Sequence, residues 1–403
     1  MPASNAKGPL TGYKLIEIAG VGPTQLTGML LADMGAEIVR VERLTKVELG
    51  VSMPVKYKLM NRSRRSIAVD LKQPQGRDIV LDLCAGADAL FEGFRPGVME
   101  RLGLGPDECM KRNERLVYGR MTGWGQEGPL ADSAGHDPNY IGIAGVLACI
   151  GKKDEAPAYP LNLIGDFGGG ALYLAMGLLA AMLESAKSGK GQVVDAAMVD
   201  GAASMMTTFY GLLAAGIWKE QRGSNILDGG AHFVNSYRTK DDQYVVVAPI
   251  EGRFYNELLD RLEVSDPDLR AQQHNQDRWP EFAEKLQEIF LTRTRDEWCE
   301  IFAGSDACFA PVLSLTEATQ HPHAQARNAY AHIDGVIQPA PAPRFSRTTS
   351  EIQSPPPEPG QHTEEVLLDW GFSKERINEL GNAGVIPHRH SRASGNPVSE
   401  HSL

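Results

Sequence analysis

From residue 14 onward the chain alternates strand and helix, and that alternation limits its fold more than any other feature. Leu15-Ile16-Glu17-Ile18 reads as a short apolar strand and Ala19-Gly20-Val21-Gly22-Pro23 as a turn. Residues 24–34 read as a helix closed by Gly35, and Glu37-Ile38-Val39-Arg40-Val41 as the next strand. Farther on, Ile79 to Cys84 continue the pattern as helix, with Ala89 to Glu92 and Leu116 to Met121 as strands. Strands separated by helices pair in parallel and need cover on both faces, so a doubly wound α/β sheet is expected. Gly20 and Gly22 invite a dinucleotide-binding reading, but the third glycine of that fingerprint is Gln25 here; a tight strand-to-helix turn is the better reading.

The 403 residues imply two or three domains, and 42% hydrophobic content is enough for substantial cores. We read residues 1–200 as a large domain, 201–231 as linker helices and 232–325 as a smaller α+β domain. In the last, Tyr237 to Thr239 and Tyr244 to Ala248 form a hairpin around Asp241-Asp242, and charged helices follow to about 304. Residues 326–386 hold a connector and a C-terminal helical piece; seven prolines between 336 and 361 make that stretch extended and semi-rigid. The polar stretch 387–403 is expected to be a disordered tail, and its final His-Ser-Leu only faintly matches a peroxisomal signal.

A net charge of −11 disfavours nucleic acid as a partner. Cys84, Cys109, Cys149, Cys299 and Cys308 show no metal-binding or disulfide spacing and suit a reducing compartment. Met1 to Lys7 lack a signal-peptide core, and the apolar run Ala171 to Leu183 is too short to span a bilayer. A soluble, cytoplasmic protein without membrane insertion or a metal is the expectation.

Charge is nonetheless segregated. Between Leu49 and Val69 there is no acidic residue, while Lys56, Lys58, Arg62, Arg64 and Arg65 fall there, and Arg40, Arg43, Lys72, Arg95 and Arg101 flank strand ends. Strand ends of a doubly wound sheet bind phosphorylated ligands, so either a polyphosphate site or an ordinary basic surface fits.

Two turns carry ionisable groups. Gly135-His136-Asp137-Pro138-Asn139-Tyr140 holds a histidine, and Gly165-Asp166-Phe167-Gly168-Gly169-Gly170 a carboxylate in a helix N-cap position. Asp166 reads either as a cap or as a proton-transfer group, since three glycines exceed what a cap needs and suit close approach of a ligand. Glu251, ending the strand Tyr244 to Ile250, is a third carboxylate; the three together suggest proton transfer. Met198, Met205 and Met206 suit either an adaptable acyl surface or core packing.

Several stretches resemble the α-methylacyl-CoA racemase branch of the family III CoA-transferases. They are Arg95-Pro96-Gly97 with Glu100-Arg101-Leu102-Gly103-Leu104-Gly105, Met121 to Gln126, Ala134 to Asp137, and Gly165 to Gly170. Val194 to Gly201, Leu227 to Ala231 and Pro341 to Arg347 complete a resemblance running from about residue 8 to about 370. It implies a Rossmann-like CoA-binding large domain completed by the returning C-terminal segment, a smaller α+β domain, and an interlocked homodimer. It implies that His136 and Asp166 are the acid/base pair and that Glu251 pairs with the imidazole. Arg43, Val69-Asp70-Leu71-Lys72, Gly93-Phe94-Arg95 and Arg101 would contact coenzyme A; Gly135, Asp137, Asn139 and Tyr140 would contact coenzyme and thioester. Gly230-Ala231-His232-Phe233-Val234 and Ala248-Pro249-Ile250-Glu251-Gly252-Arg253 depart from the usual Gly-Ala-Pro and Gly-Ala-Ile-Glu-Pro-Gln, which bears on acyl preference.

The implied reaction inverts the carbon next to a thioester carbonyl, with coenzyme A as part of the substrate and no separate cofactor. The rival within the family moves CoA between an acyl-CoA and a carboxylic acid, with the Asp166 position as nucleophile forming an anhydride. A non-catalytic acyl-CoA binder would need the basic site but not the three ionisable residues together.

Overall fold

The computed structural model describes residues 7–45 and 51–388; the start of the acid-free stretch at Leu49 and the terminal His-Ser-Leu lie outside the described residues. Two compact units emerge. One takes in the chain up to Tyr140, Asn162–Ala202 and the chain from Asn328; the other combines Ile141–Leu161 with Ala203–Arg327.

The first unit is built on six parallel strands: β1 (Lys14–Ile18), β2 (Glu37–Glu42), β3 (Arg65–Ala68), β4 (Ala89–Glu92), β5 (Val117–Thr122) and β6 (Val193–Ala197). Their order is β3-β2-β1-β4-β5-β6, the doubly wound arrangement in which strand order reverses between β1 and β4. Alternation along each strand explains the two layers. Ile16, Val39, Leu90 and Tyr118 enter one core, while Leu15, Ile38, Phe91 and Val117 enter the other. Val366, Leu367, Ile377, Leu380 and Val385 join the first of these cores, so the C-terminal helices Thr363–Asp369 and Lys374–Asn382 are part of the sheet's cover.

The second core is covered by a helical stretch longer than the apolar run suggests. Leu163–Leu172 is wound as a π-helix and passes directly into the α-helix Tyr173–Ser188. The 26 residues satisfy the length and apolarity of a membrane span. Leu174, Ala175, Leu178, Ala181 and Met182 instead pack on the sheet's core, and Leu172, Met176 and Leu183 stay exposed.

In the second unit β7 (Asn235–Arg238), β8 (Tyr244–Val247) and β9 (Phe309–Pro311) form an antiparallel sheet. The hairpin is the expected one, with Asp242 at φ 59°; β9 is a third strand too short to stand out in the sequence. The proline-rich connector is more structured than expected: β10 (Tyr330–Ile333) and β11 (Val336–Pro339) pair across Asp334-Gly335, whose φ values of 50° and 77° suit a tight hairpin.

Candidate active site

The residues past the strand ends of the first unit converge near the switch point. After β1, Gly22 at φ 74° starts the helix Pro23–Asp33, and the turn reading of Gly20 to Pro23 holds. After β4, Gly93 lies against Thr24: a Cβ on Gly93 would stand 2.9 Å from its methyl group. The Arg43 guanidinium at the end of β2 lies 6.0 Å from the Phe94 ring, which brings two of the sequence-predicted positions together.

His136 and Asp166 belong to this same unit. The main chain of His136 ends the turn and starts the helix Asp137–Ile143: its N–H donates to Asn139 Oδ1 at 3.0 Å, and its carbonyl accepts from Asn139 N at 2.9 Å. Tyr140 Oη donates back to the Gly135 carbonyl, and the Trp124 ring packs edge-on against Tyr140 with centroids 4.8 Å apart. The backbone of the turn is thereby fixed while the imidazole stays exposed.

Asp166 is not a helix cap. It sits inside the π-helical stretch, four residues after Asn162, whose Nδ2 donates to Asp166 Oδ2 at 3.2 Å. Its own N–H donates to Asp137 Oδ2 at 2.7 Å, tying the histidine turn to the carboxylate segment. Widened helices of this kind are frequent at functional sites. A Cβ on Gly22 would come within 3.7 Å of Asp166 Oδ2, so the start of the helix Pro23–Asp33 faces the carboxylate.

Burial pushes the Asp166 carboxyl above its ordinary value; the Asn162 amide opposes this, the negative Asp137 adds to it, and His136 opposes it. The result is a carboxyl better able to hold a proton than a surface aspartate. Tyr140 is pushed up to about 12, first by burial and then by Asp166, so it stays a neutral donor.

Two of the three glycines after Asp166, Gly169 and Gly170, serve helix packing rather than ligand clearance. A Cβ on Gly169 would meet Ala202 N at 2.5 Å and Met198 O at 2.9 Å, and one on Gly170 would meet Met198 Cγ at 2.8 Å. They allow the π-helix to pack closely on the helix Met198–Met205. Met198 accordingly belongs to the core, while Met205 is exposed.

The basic cluster also resolves differently from a polyphosphate site. Arg40 and Arg64 share the buried Glu17 carboxylate, Arg62 pairs with Asp33 at 2.6 Å, and Arg65 pairs with Glu37 and with Asp369 at 2.5 Å. These arginines are structural, and their acidic partners lie outside the acid-free stretch, which is why charge pattern alone misassigns them. Arg43, Lys56, Lys58, Lys72, Arg95 and Arg101 remain exposed. Asp70 is a turn former, accepting from Lys72 N and Gln73 Nε2, both at 3.1 Å. The side chains of Val69 and Asp137 are buried rather than displayed, and Leu71 packs on the core.

Glu251 lies in the second unit, exposed, at the N-cap of the helix Gly252–Arg261 without a side-chain capping bond. Asn162, and Glu92, whose Oε2 accepts from Phe94 N at 2.6 Å, were not evident from the sequence. The Asn162–Asp166 spacing of four is a helical signal, hidden because the glycines read as a turn. Among the described residues there is no group of three or more side chains suited to a metal ion.

A doubly wound six-stranded domain with a histidine turn tied to the segment of a half-buried aspartate is the arrangement of an α/β enzyme. The chain belongs to the CoA-transferase family III, whose model matches residues 10–363. It is 42% identical over 380 residues to the α-methylacyl-CoA racemase of Mus musculus, covering 94% of this chain and 97% of that protein. The racemase of Homo sapiens is 40% identical over 388 residues, covering 96% and 99%. In fold, the crystal structure of a CaiB/BaiF family protein from Brucella suis aligns with a TM-score of 0.77 at 23% identity, covering 90% of this chain and all of that one.

Proposed function

We propose that the protein inverts the α-carbon of 2-methylacyl-CoA thioesters by two-base proton transfer. One group takes the α-proton, the electron pair moves into the thioester carbonyl as an enolate, and the second group delivers a proton to the opposite face. Neutral His136 with protonated Asp166 serves one enantiomer; protonated His136 with ionised Asp166 serves the other. Each transfer contributes about 10²–10⁴-fold. Backbone N–H groups within Gly135 to Tyr140 are the candidate donors to the enolate oxygen. The chemistry is acid/base throughout and calls on no separate cofactor.

The observation that carries this reading is the 2.7 Å bond from Asp166 N–H to Asp137, which sets a carboxyl of raised proton affinity beside the histidine turn. The racemases of mouse and man, at 42% and 40% identity, support it over transfer of CoA to a carboxylic acid. The exposed Arg43, Lys72, Arg95 and Arg101 are among the cations left for the coenzyme's phosphates, with Phe94 beside Arg43. A homodimer belongs to the same proposal, and the exposed Leu172, Met176 and Leu183 offer it apolar surface. So does a cytoplasmic setting, which suits five unpaired cysteines.

The test is incubation of a 2-methylacyl-CoA with the protein in D₂O without a carboxylate acceptor. Deuterium should enter at the α-carbon. Transfer of CoA to an added carboxylate without α-exchange would establish the transferase instead.

A further inference from the structure

The residue next to the histidine makes an unexpected contact. Asp137 is 2% exposed, and its carboxylate accepts from the main chain of Asp166 at 2.7 Å, 29 residues away in sequence. An acid in the first turn of a helix is ordinarily there for the helix dipole, and it stays in solvent. This one is buried, and its Oδ1 has no hydrogen-bond partner among the described residues. Burying an unpaired carboxylate oxygen costs free energy, so packing alone is a poor reason to hold a charge there.

We propose that Asp137 is a positioning residue that locks the His136 turn and the Asp166 segment in one register through the Asp166 N–H. The proposal rests on the two-base reading above. The bond reaches between segments that are far apart in sequence, so it fixes the distance across which a proton must be handled. Its negative charge acts on the same group, adding to the burial that favours protonated Asp166. The other titratable groups acting on this pair are His136 and Tyr140, with Arg95 acting on Tyr140.

Asp137→Asn keeps an oxygen acceptor for the Asp166 N–H but removes the charge; Asp137→Ala removes both. Each is measured by α-deuterium incorporation, resolving kcat from KM across pH, with thermal melting as a check of folding. Asp137→Ala should lose about 10²-fold in kcat with little change in KM, the cost of a misplacement near 1 Å. Asp137→Asn should recover most of that loss. Its acid limb, in the direction where Asp166 takes the proton, should move to lower pH, because loss of the neighbouring charge makes Asp166 easier to ionise. Full kcat in a folded Asp137→Ala, no recovery in Asp137→Asn, or an unmoved acid limb in Asp137→Asn would each overturn the proposal. Exchange missing from the unaltered protein would overturn the two-base reading itself. Exchange present there and undiminished in Asp137→Ala would overturn only the positioning role.

Discussion

Glu92 closes β4 with its side chain 1% exposed, and its Oε2 accepts from Phe94 N at 2.6 Å, which shapes the Gly93-Phe94-Arg95 turn. Arg120 lies 3.5 Å from its other oxygen but is shared with Glu100 at 2.9 Å. Burial outweighs these partners and raises the Glu92 carboxyl from its ordinary 4.5 to about 7. A raised value means that the folded chain binds more protons than the unfolded chain between those two pH values. The stability contributed by Glu92 is therefore fully present below 4.5 and is lost as pH rises through 7. At 1.36 kcal/mol per pKa unit, the distance from 4.5 to about 7 amounts to about 3 kcal/mol at pH 8. Glu92→Gln keeps an acceptor for Phe94 N–H and cannot ionise, so it should melt with the unaltered protein near pH 4.5 and above it at pH 8. At 2–4 °C per kcal/mol for a unit of this size, the gap at pH 8 is about 6–12 °C. Scanning calorimetry from pH 4.5 to 8 reads it directly. A variant that melts lower at pH 8, or whose offset is the same at every pH, would refute the reasoning.

Two further outcomes follow from buried charge. Glu17→Ala strands Arg40 and Arg64 without their shared carboxylate, a loss of about 3–5 kcal/mol, and the melting temperature should fall by about 10 °C; a fall below about 2 °C would return these arginines to a ligand role. In the second unit, Tyr255 Oη donates to Leu269 O at 2.9 Å, so His232 Nε2–H is the donor in their 2.7 Å bond and the ring is neutral. Burial lowers His232 from 6.5 to about 4, so its contribution is whole above 6.5 and is lost as pH falls toward 4, by about 3 kcal/mol. His232→Phe should flatten the stability profile in that window, and an unchanged slope by calorimetry would contradict the assignment.

The strands were legible because runs such as Leu15 to Ile18 and Ala89 to Glu92 are short, apolar and bounded by turn residues. The hairpin β10–β11 was not, since prolines masked its Asp334-Gly335 turn. At the site, His136 and Asp166 could be picked out as ionisable groups among glycines, but not their coupling. The bond that ties them comes from Asp137, and its acceptor's partner is a backbone N–H, which leaves no trace in composition. Glycines mark close approach without saying of what: Gly169 faces the neighbouring helix rather than a ligand. Charge clustering misled for a related reason, because Arg40, Arg62 and Arg64 find their carboxylates through the fold rather than along the chain.

The most direct measurement follows α-deuterium incorporation from each separate enantiomer of a 2-methylacyl-CoA with His136→Ala and Asp166→Asn. Two bases on opposite faces predict complementary losses. Each variant should lose about 10²-fold or more in inversion, while washing deuterium into only the enantiomer whose α-proton faces its surviving base. Exchange undiminished in both variants, or retained in both on the same enantiomer, would contradict the paired roles of His136 and Asp166.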